Sequence, residues 1–202
     1  AYTAQIAVEA LVAKALGELR GFTTARNFAV AKELTTVANG MQALVDGKKK
    51  IEKIAAEILK TTRNAFYIGR AIDYDIVQEA ALKLKEVSYI QTEGFASGEL
   101  KHGTIALIEE GTPVVAVITD ANTAKHTRSN AQEVIARGAR VIYIASHSLA
   151  AVGDQIILPD VHPLLTPLVA IVPCQLLAYY ASLQRGYDVD KPRNLAKSVT
   201  VE

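Results

Sequence analysis

The chain has 202 residues, and 50% of them are apolar, so it is long enough to bury one well-packed core but too short for two full domains. Its 22 Lys and Arg residues nearly balance 21 Asp and Glu residues, which argues against attraction to nucleic acid or an anionic membrane. We therefore expect a small-molecule site, and no nucleic-acid or membrane partner.

The N-terminal part is predicted to be helical. Apolar residues recur at helical spacing over residues 2–20, which predicts a buried helix, and similar patterns cover residues 25–44 and 49–60. The turn dipeptide Asp46-Gly47 separates the last two. We expect residues 1–62 to form a helical lead-in that packs on the following domain. Because the first residue is Ala1 and no basic leader is present, we also expect a piece of a longer protein.

Strand-like and helical patterns alternate after residue 62. Short β-branched runs predict five strands, at residues 65–69, 91–94, 113–119, 140–145 and 155–159. Helical patterns lie between them and at residues 163–185. The alternation implies right-handed crossovers, so the predicted class is α/β, a three-layer α/β/α sandwich with a mainly parallel five-stranded sheet over residues 63–187. A polar tail covers residues 188–202.

The charged run that follows the first strand is the leading candidate for a site. At helical spacing one stripe carries four residues, namely Glu79, Lys83, Glu86 and Ile90. An apolar face adjoins this stripe, and Gln78, Lys85 and Tyr89 fall on the solvent side. The simplest interpretation is two helical ion pairs worth about 0.2–0.5 kcal/mol each. The preceding strand and the following glycine-punctuated loop with His102 favour the rim of a pocket.

Other candidate chemistries are weaker. The four histidines are scattered without a second ligand at metal-binding spacing, so no metal is predicted, and the glycines near Gly69 do not form a dinucleotide fingerprint, so no cofactor is predicted. Residues 119–123 close a strand and open a helix, where they could cradle a phosphate or simply cap the helix. Cys174 lies in an apolar helical pattern that predicts core packing, and a lone cysteine suits the cytoplasm.

Four segments together resemble the glutamine–fructose-6-phosphate aminotransferase (glucosamine-6-phosphate synthase) family: residues 67–70, 79–89, 98–103 and 193–202. The resemblance extends over essentially the whole chain, and the C-terminal segment is its most specific part. It implies the second of the two sugar-isomerase (SIS) domains in the isomerase half of such enzymes. The expected fold is the SIS fold, followed at residues 188–202 by a catalytic tail.

The resemblance also implies roles for individual residues. Glu86 matches the base that moves a proton between C1 and C2 of the sugar, His102 the ring-opening group, and Lys197 the tail lysine that reaches the open sugar. Glu79 and Lys83 match substrate-binding positions with supporting roles. Members of the family convert fructose 6-phosphate and glutamine into glucosamine 6-phosphate and glutamate, as an aminotransferase of the hexosamine pathway, without a cofactor.

The partners implied are a sugar phosphate, a second copy of the chain, and, in the full protein, a first SIS domain and a glutaminase domain. The matching histidine serves the neighbouring subunit, so a homodimer is expected. Because the main phosphate-binding turn and the ammonia-releasing cysteine belong to the two other domains, the chain alone is expected to be inactive. Two alternatives keep the fold, namely a sugar-phosphate-binding regulatory module and a related sugar-phosphate isomerase or deglycase.

Overall fold

The computed structural model describes residues 1–195, and its N-terminal part is helical. The helices there are α1 (Tyr2–Leu19), α2 (Thr23–Asn27), α3 (Val30–Asp46) and α4 (Lys48–Ile58). The turn predicted at Asp46-Gly47 separates α3 from α4. The break between α2 and α3 differs from the prediction of one helix over residues 25–44. At that break Phe28 is extended, and its ring packs against His162 with ring centres 4.8 Å apart.

The sheet has five parallel strands, as the alternating pattern predicts. They are β1 (Asn64–Gly69), β2 (Gln91–Ala96), β3 (Pro113–Ile118), β4 (Arg140–Ser146) and β5 (Ile156–Leu158), in the order β2-β1-β3-β4-β5. Three longer helices connect or follow them, namely α5 (Ile72–Ser88), α6 (Ala124–Ile135) and α7 (Thr166–Gln184). The strand order changes direction between β1 and β3, which is where domains of this topology form a ligand crevice.

Alternate strand residues face two separate cores. On one face Tyr67, Val115 and Ile144 pack with α4, α5 and α7, and on the other Phe66 and Val114 pack with α6 and the loop after β2. Helix α7 is buried along most of its length, and Cys174 within it is fully buried, which confirms the predicted core packing and raises the thiol pKa to about 12. The fold is therefore the three-layer sandwich predicted from the sequence.

Helix α1 is the main departure from the predicted burial. We expected a buried helix, but none of its residues is buried, and Val8, Leu11, Val12, Leu16 and Leu19 are exposed. Only one side of the helix, including Ile6 and Ala10, packs on the small core around α3 and the start of α7. The opposite apolar side has no cover within the described part of the chain.

Within residues 1–195, the segment Pro163–Gln184 is the one helix whose length and composition would allow it to cross a bilayer. Most of that segment is buried inside the domain, where it fills the space between α4 and α5. Its apolar character is therefore explained by its place in the core.

The connection from β1 to α5 has an unusual backbone conformation. Ala71 has φ +51° and ψ −126°, a combination that residues with a side chain adopt only under strain. A side chain at the nearby Gly69 would collide with the backbone of Asp73, so the connection cannot easily shift. The close packing between β1 and the first turn of α5 thus holds Ala71 in this conformation.

We predict that Ala71→Gly stabilises the protein. Glycine adopts a positive φ without steric cost, and relief of the strain should exceed the entropy that glycine adds to the unfolded chain, for a net gain of about 1 kcal/mol. Urea unfolding followed by circular dichroism measures this difference. Ala31→Gly in the exposed face of α3 is the matched control and should instead lose about 0.5–1 kcal/mol. A loss of stability in both variants would contradict the assignment of strain to Ala71.

Candidate active site on helix α5

Three charged side chains of α5 lie together at the border of the core. The ammonium group of Lys83 donates to Glu86 over 2.7 Å and lies 3.6 Å from Glu79. Their side chains are 22% (Glu79), 31% (Lys83) and 27% (Glu86) exposed, whereas Gln78 and Lys85 are more exposed. This half-buried placement confirms the position predicted from the helical periodicity. The roles of the three residues in chemistry remain a prediction.

The fourth member predicted for the stripe, Ile90, does not belong to the helix. Helix α5 ends at Ser88, and Tyr89 adopts a left-handed conformation with φ +59°, so Ile90 enters the core just before β2. Placing Tyr89 on the solvent side was also inaccurate, because its side chain is partly covered by the C-terminal segment. A left-handed residue costs about 1–2 kcal/mol when it is not glycine. Because α5 ends before Ile90, the stripe has three members.

The charges on α5 support one another. Burial lowers the pKa of Lys83, but the hydrogen bond that Lys83 donates to Glu86 and the charges of Glu79 and Glu86 outweigh burial, so the pKa lies above its ordinary value. Lys83 therefore stays charged and holds Glu86 in place. Burial, with a smaller contribution from the charge of Glu79, raises the pKa of Tyr2 at the start of α1. The phenol of Tyr2 therefore stays neutral beside the carboxylate of Glu79.

A buried polar cluster lies at the carboxyl edge of the sheet, between the start of α5, the residue after β3 and the start of α7. Asp73, in the first turn of α5, is fully buried and accepts two hydrogen bonds from Thr119 at the end of β3, from the hydroxyl at 2.5 Å and from the backbone N–H at 2.9 Å. The Thr119 hydroxyl is also 3.1 Å from the hydroxyl of Thr166, the first residue of α7. This cluster ties α5, β3 and α7 together at one point.

The sequence analysis missed Asp73, although the sequence contains a signal for its burial. Its spacing to Ile76, Val77 and Ala80 places it on the buried face of α5, which is a signal that the sequence does contain. Burial, only partly offset by the hydrogen bonds from Thr119 and Asp120, raises its pKa to about 6. Its partner Thr119 is the first residue of the turn in which we had left open a phosphate cradle or helix capping.

That turn is closed by its own residues. The carboxylate of Asp120 accepts a hydrogen bond from the backbone N–H of Asn122 over 2.9 Å, and the backbone carbonyl of Asp120 accepts from Thr123 and Ala124. Thr123 itself makes no side-chain capping bond. Asp120 therefore closes the turn that precedes α6, and Thr119 belongs to the buried cluster.

His102 lies at the opposite edge of the sheet from Glu86. It stands in a short 3₁₀ helix after β2, in a polar cleft of about 380 Å³ that Arg70 and His126 also line. Arg70 directly follows β1, so this cleft is at the carboxyl edge of the strands. Glu86 is fourteen residues beyond the start of α5, or about 21 Å along the helix towards the amino edge. Within one chain, His102 and Glu86 are therefore too far apart to contact the same sugar.

Lys197, the predicted tail lysine, lies outside the described residues. The tail is described as far as Leu195, and this part folds back onto the end of α5. The backbone N–H of Arg193 donates to the hydroxyl of Tyr89 over 2.8 Å, and the ring of Tyr187 lies 4.7 Å from that of Tyr89. The segment that leads to Lys197 therefore contacts the helix turn next to Glu86.

The fold and these contacts define an open parallel α/β domain with a charged helix face as its candidate site. The SIS domain family matches residues 58–185, and the chain belongs to that family. The predicted limits 1–62, 63–187 and 188–202 remain a prediction.

The chain is similar in sequence to one part of several longer proteins. It is 63% identical over its full 202 residues to the glutamine–fructose-6-phosphate aminotransferase of Lactiplantibacillus plantarum and 60% identical to that of Listeria monocytogenes, of which it covers 33% and 34%. The chain thus spans about a third of the length of these relatives.

Solved structures show the same fold. The C-terminal domain of glucosamine-fructose-6-phosphate aminotransferase from Francisella tularensis superposes with a TM-score of 0.73 and 34% identity, covering 79% of this chain and 46% of that one. Glucosamine-6-phosphate deaminase from Thermotoga maritima gives a TM-score of 0.66 at 23% identity, with 88% of this chain and 52% of that one covered, and shares the fold.

We predict that Asp73→Asn removes a component of the pH dependence of stability. A folded pKa near 6, above the ordinary value of 3.8, means that Asp73 favours folding below about pH 4 and that this contribution is lost as the pH rises through 6. The loss should be on the order of 2 kcal/mol. Asparagine can still accept from the backbone N–H of Thr119 while its amide donates to the hydroxyl.

The measurement is the unfolding free energy of both proteins from pH 4 to pH 7.5. As the pH rises, the unfolding free energy of wild type should fall relative to that of Asp73→Asn. Asp154→Asn is a suitable contrast, because the hydrogen bond and charge of Arg128 outweigh burial and hold the pKa of Asp154 below its ordinary value. Curves for wild type and Asp73→Asn that stay parallel across this range would show that Asp73 does not titrate there.

Proposed function

We propose that this chain is the second SIS domain, with its tail, of a glutamine–fructose-6-phosphate aminotransferase. The whole protein would convert fructose 6-phosphate and glutamine into glucosamine 6-phosphate and glutamate. The observation that carries the proposal is the joined set of Glu79, Lys83 and Glu86 on the half-buried face of α5. The high identity to named aminotransferases over the full chain supports the same conclusion.

The arrangement suits proton transfer on a sugar. Moving the carbonyl group from C2 to C1 requires a base that takes a proton from one carbon and returns it to the other. We assign this role to Glu86, because its carboxylate is accessible and the ammonium group of Lys83 orients it over 2.7 Å. Glu79 holds Lys83 from the other side and leaves Glu86 free to face a ligand. We assign ring opening to His102 and contact with the open sugar to Lys197.

The separation of His102 from Glu86 requires a second chain in this proposal. Both residues can act on one sugar only if His102 comes from a partner, since the two lie at opposite edges of the same sheet. A two-fold dimer would supply each site with one His102 and one Glu86. We therefore propose a homodimer, in the cytoplasm, in which each site is shared.

The remaining parts of the reaction belong to other domains of the proposed full protein. A glutaminase domain would release ammonia from glutamine, and the first SIS domain would hold the sugar phosphate. Phosphate binding positions the reacting carbon, so its loss lowers turnover as well as affinity. The chain alone would accordingly lack both a nitrogen donor and a positioned substrate.

We predict that Glu86→Gln abolishes isomerisation in the full-length enzyme. The amide keeps the shape of the side chain but cannot accept the proton, so exchange of solvent tritium into the sugar should fall at least about 10²-fold, with little change in sugar binding. The control is Glu9→Gln, which neutralises an exposed carboxylate of α1 and should retain wild-type exchange. The isolated 202-residue chain should form no product even with free ammonia. Exchange at the wild-type rate in Glu86→Gln would assign the base to another group.

We further predict that two inactive variants restore activity when they are mixed. Full-length Glu86→Gln and His102→Asn enzymes, unfolded and refolded together, should form mixed dimers in which one of the two shared sites is intact. Random pairing gives about a quarter of the wild-type activity, because half of the dimers are mixed and each has one working site. Either variant refolded alone serves as the control. Absence of recovery, with mixed dimers verified by mass spectrometry, would mean that Glu86 and His102 do not share a site across two chains.

A further inference from the structure

Tyr89 occupies a position that normally belongs to glycine. It follows the last residue of α5, and its φ of +59° and ψ of +19° lie in the left-handed region in which helices commonly end. Its backbone N–H donates to the carbonyl of Lys85 over 3.2 Å and so closes the helix. A bulky side chain is unfavourable there and persists only when the surrounding structure over-determines it. Helix capping alone would be served at least as well by glycine.

The side chain of Tyr89 makes three contacts with the C-terminal segment. Its hydroxyl accepts the backbone N–H of Arg193 at 2.8 Å, and the Arg193 guanidinium stands 4.1 Å from the centre of its ring. The ring of Tyr187 meets it edge-on at 4.7 Å. A hydrogen bond, a cation–π contact and an aromatic pair thus converge on one residue. These contacts join residues about one hundred positions apart in the sequence.

The contact point is next to the candidate base. Tyr89 follows Glu86 by three residues, within one helical turn. A second bond, from the Ser182 hydroxyl to the carbonyl of Val87 at 2.8 Å, ties the end of α7 to the same turn. The chain thus leaves α7, crosses the end of α5 and continues towards Lys197, which follows Arg193 by four residues in the sequence.

We propose that Tyr89 is a positioning residue that anchors residues 187–193 beside Glu86, and so fixes the point from which the chain continues to Lys197. The proposal rests on the function proposed above and adds a residue to it. Tyr89 does not touch the reacting atoms, and it acts through Arg193 and the segment that follows. The unfavourable backbone conformation of Tyr89 is retained because the ring must stand where the tail crosses.

The anchoring can be tested in this chain without any activity. In Tyr89→Gly the helix should remain closed and the protein as stable as wild type, because glycine suits the left-handed region. Trypsin should cleave the Arg193–Asn194 bond about tenfold faster, since the contacts that hold Arg193 are lost. The Arg137–Gly138 bond, which follows α6 and is remote from Tyr89, is the internal reference. Tyr179→Ala, which truncates an exposed tyrosine of α7, should leave both rates unchanged.

The consequence for catalysis is tested in the full-length enzyme. Tyr89→Gly should lower kcat for isomerisation about tenfold with a small effect on KM, and Tyr89→Phe, which keeps the ring and loses only the hydroxyl contact, should recover most of it. Unchanged tryptic cleavage at Arg193 would overturn the anchoring. Faster cleavage with unchanged kcat would overturn the positioning role and leave the proposed function intact. A wild-type full-length enzyme that forms no glucosamine 6-phosphate would instead refute the proposed function, whatever Tyr89 does.

Discussion

The burial of one face of α5 is the constraint on which the rest of the structure depends. This face packs on β1 and β2 on one side and on α7 on the other, so the helix can neither rotate nor shift without exposing apolar surface. The stripe of Glu79, Lys83 and Glu86 adjoins that face, and it is half-buried only because the apolar face is fully buried. The electrostatics of the candidate site are therefore a result of packing.

The two ends of α5 are fixed by different means. At its start, Asp73 accepts hydrogen bonds from Thr119 and so couples the helix to β3. At its end, Tyr89 closes the helix and contacts the tail. Both residues carry a cost, because one buries a carboxylate and the other holds a left-handed backbone. Sites often concentrate such local conflicts, whereas the surrounding core of α7 and the strands follows simple patterns.

Periodicity was sufficient to predict most of the fold. Residues 113–118 and 141–145 are continuous apolar runs, and the apolar residues of α5 recur at helical spacing, so local pattern and final structure agree. The burial of α1 could not be predicted correctly, because an apolar helix pattern does not say whether a partner is present to cover it. The break at Phe28 depends on a contact with His162, which lies far along the chain.

The candidate site was predictable in part. The residue types and spacing on α5 define the charged stripe, whereas the distance between Glu86 and His102 depends on which edge of the sheet each element reaches. That information depends on the direction in which α5 and the parallel strands run, which the residue types alone do not show. The cluster of Asp73 with Thr119 and Thr166 was missed because its members are more than forty residues apart and make ordinary local patterns.

The position of α7 after all five strands has a consequence for synthesis on the ribosome. The larger core requires α7 between α4 and α5, yet this helix is the last of the described elements to be made. The parallel strands also pair across long stretches of sequence, which slows folding. The β-sheet region therefore leaves the ribosome with its largest apolar face open, and that face stays uncovered until α7 emerges.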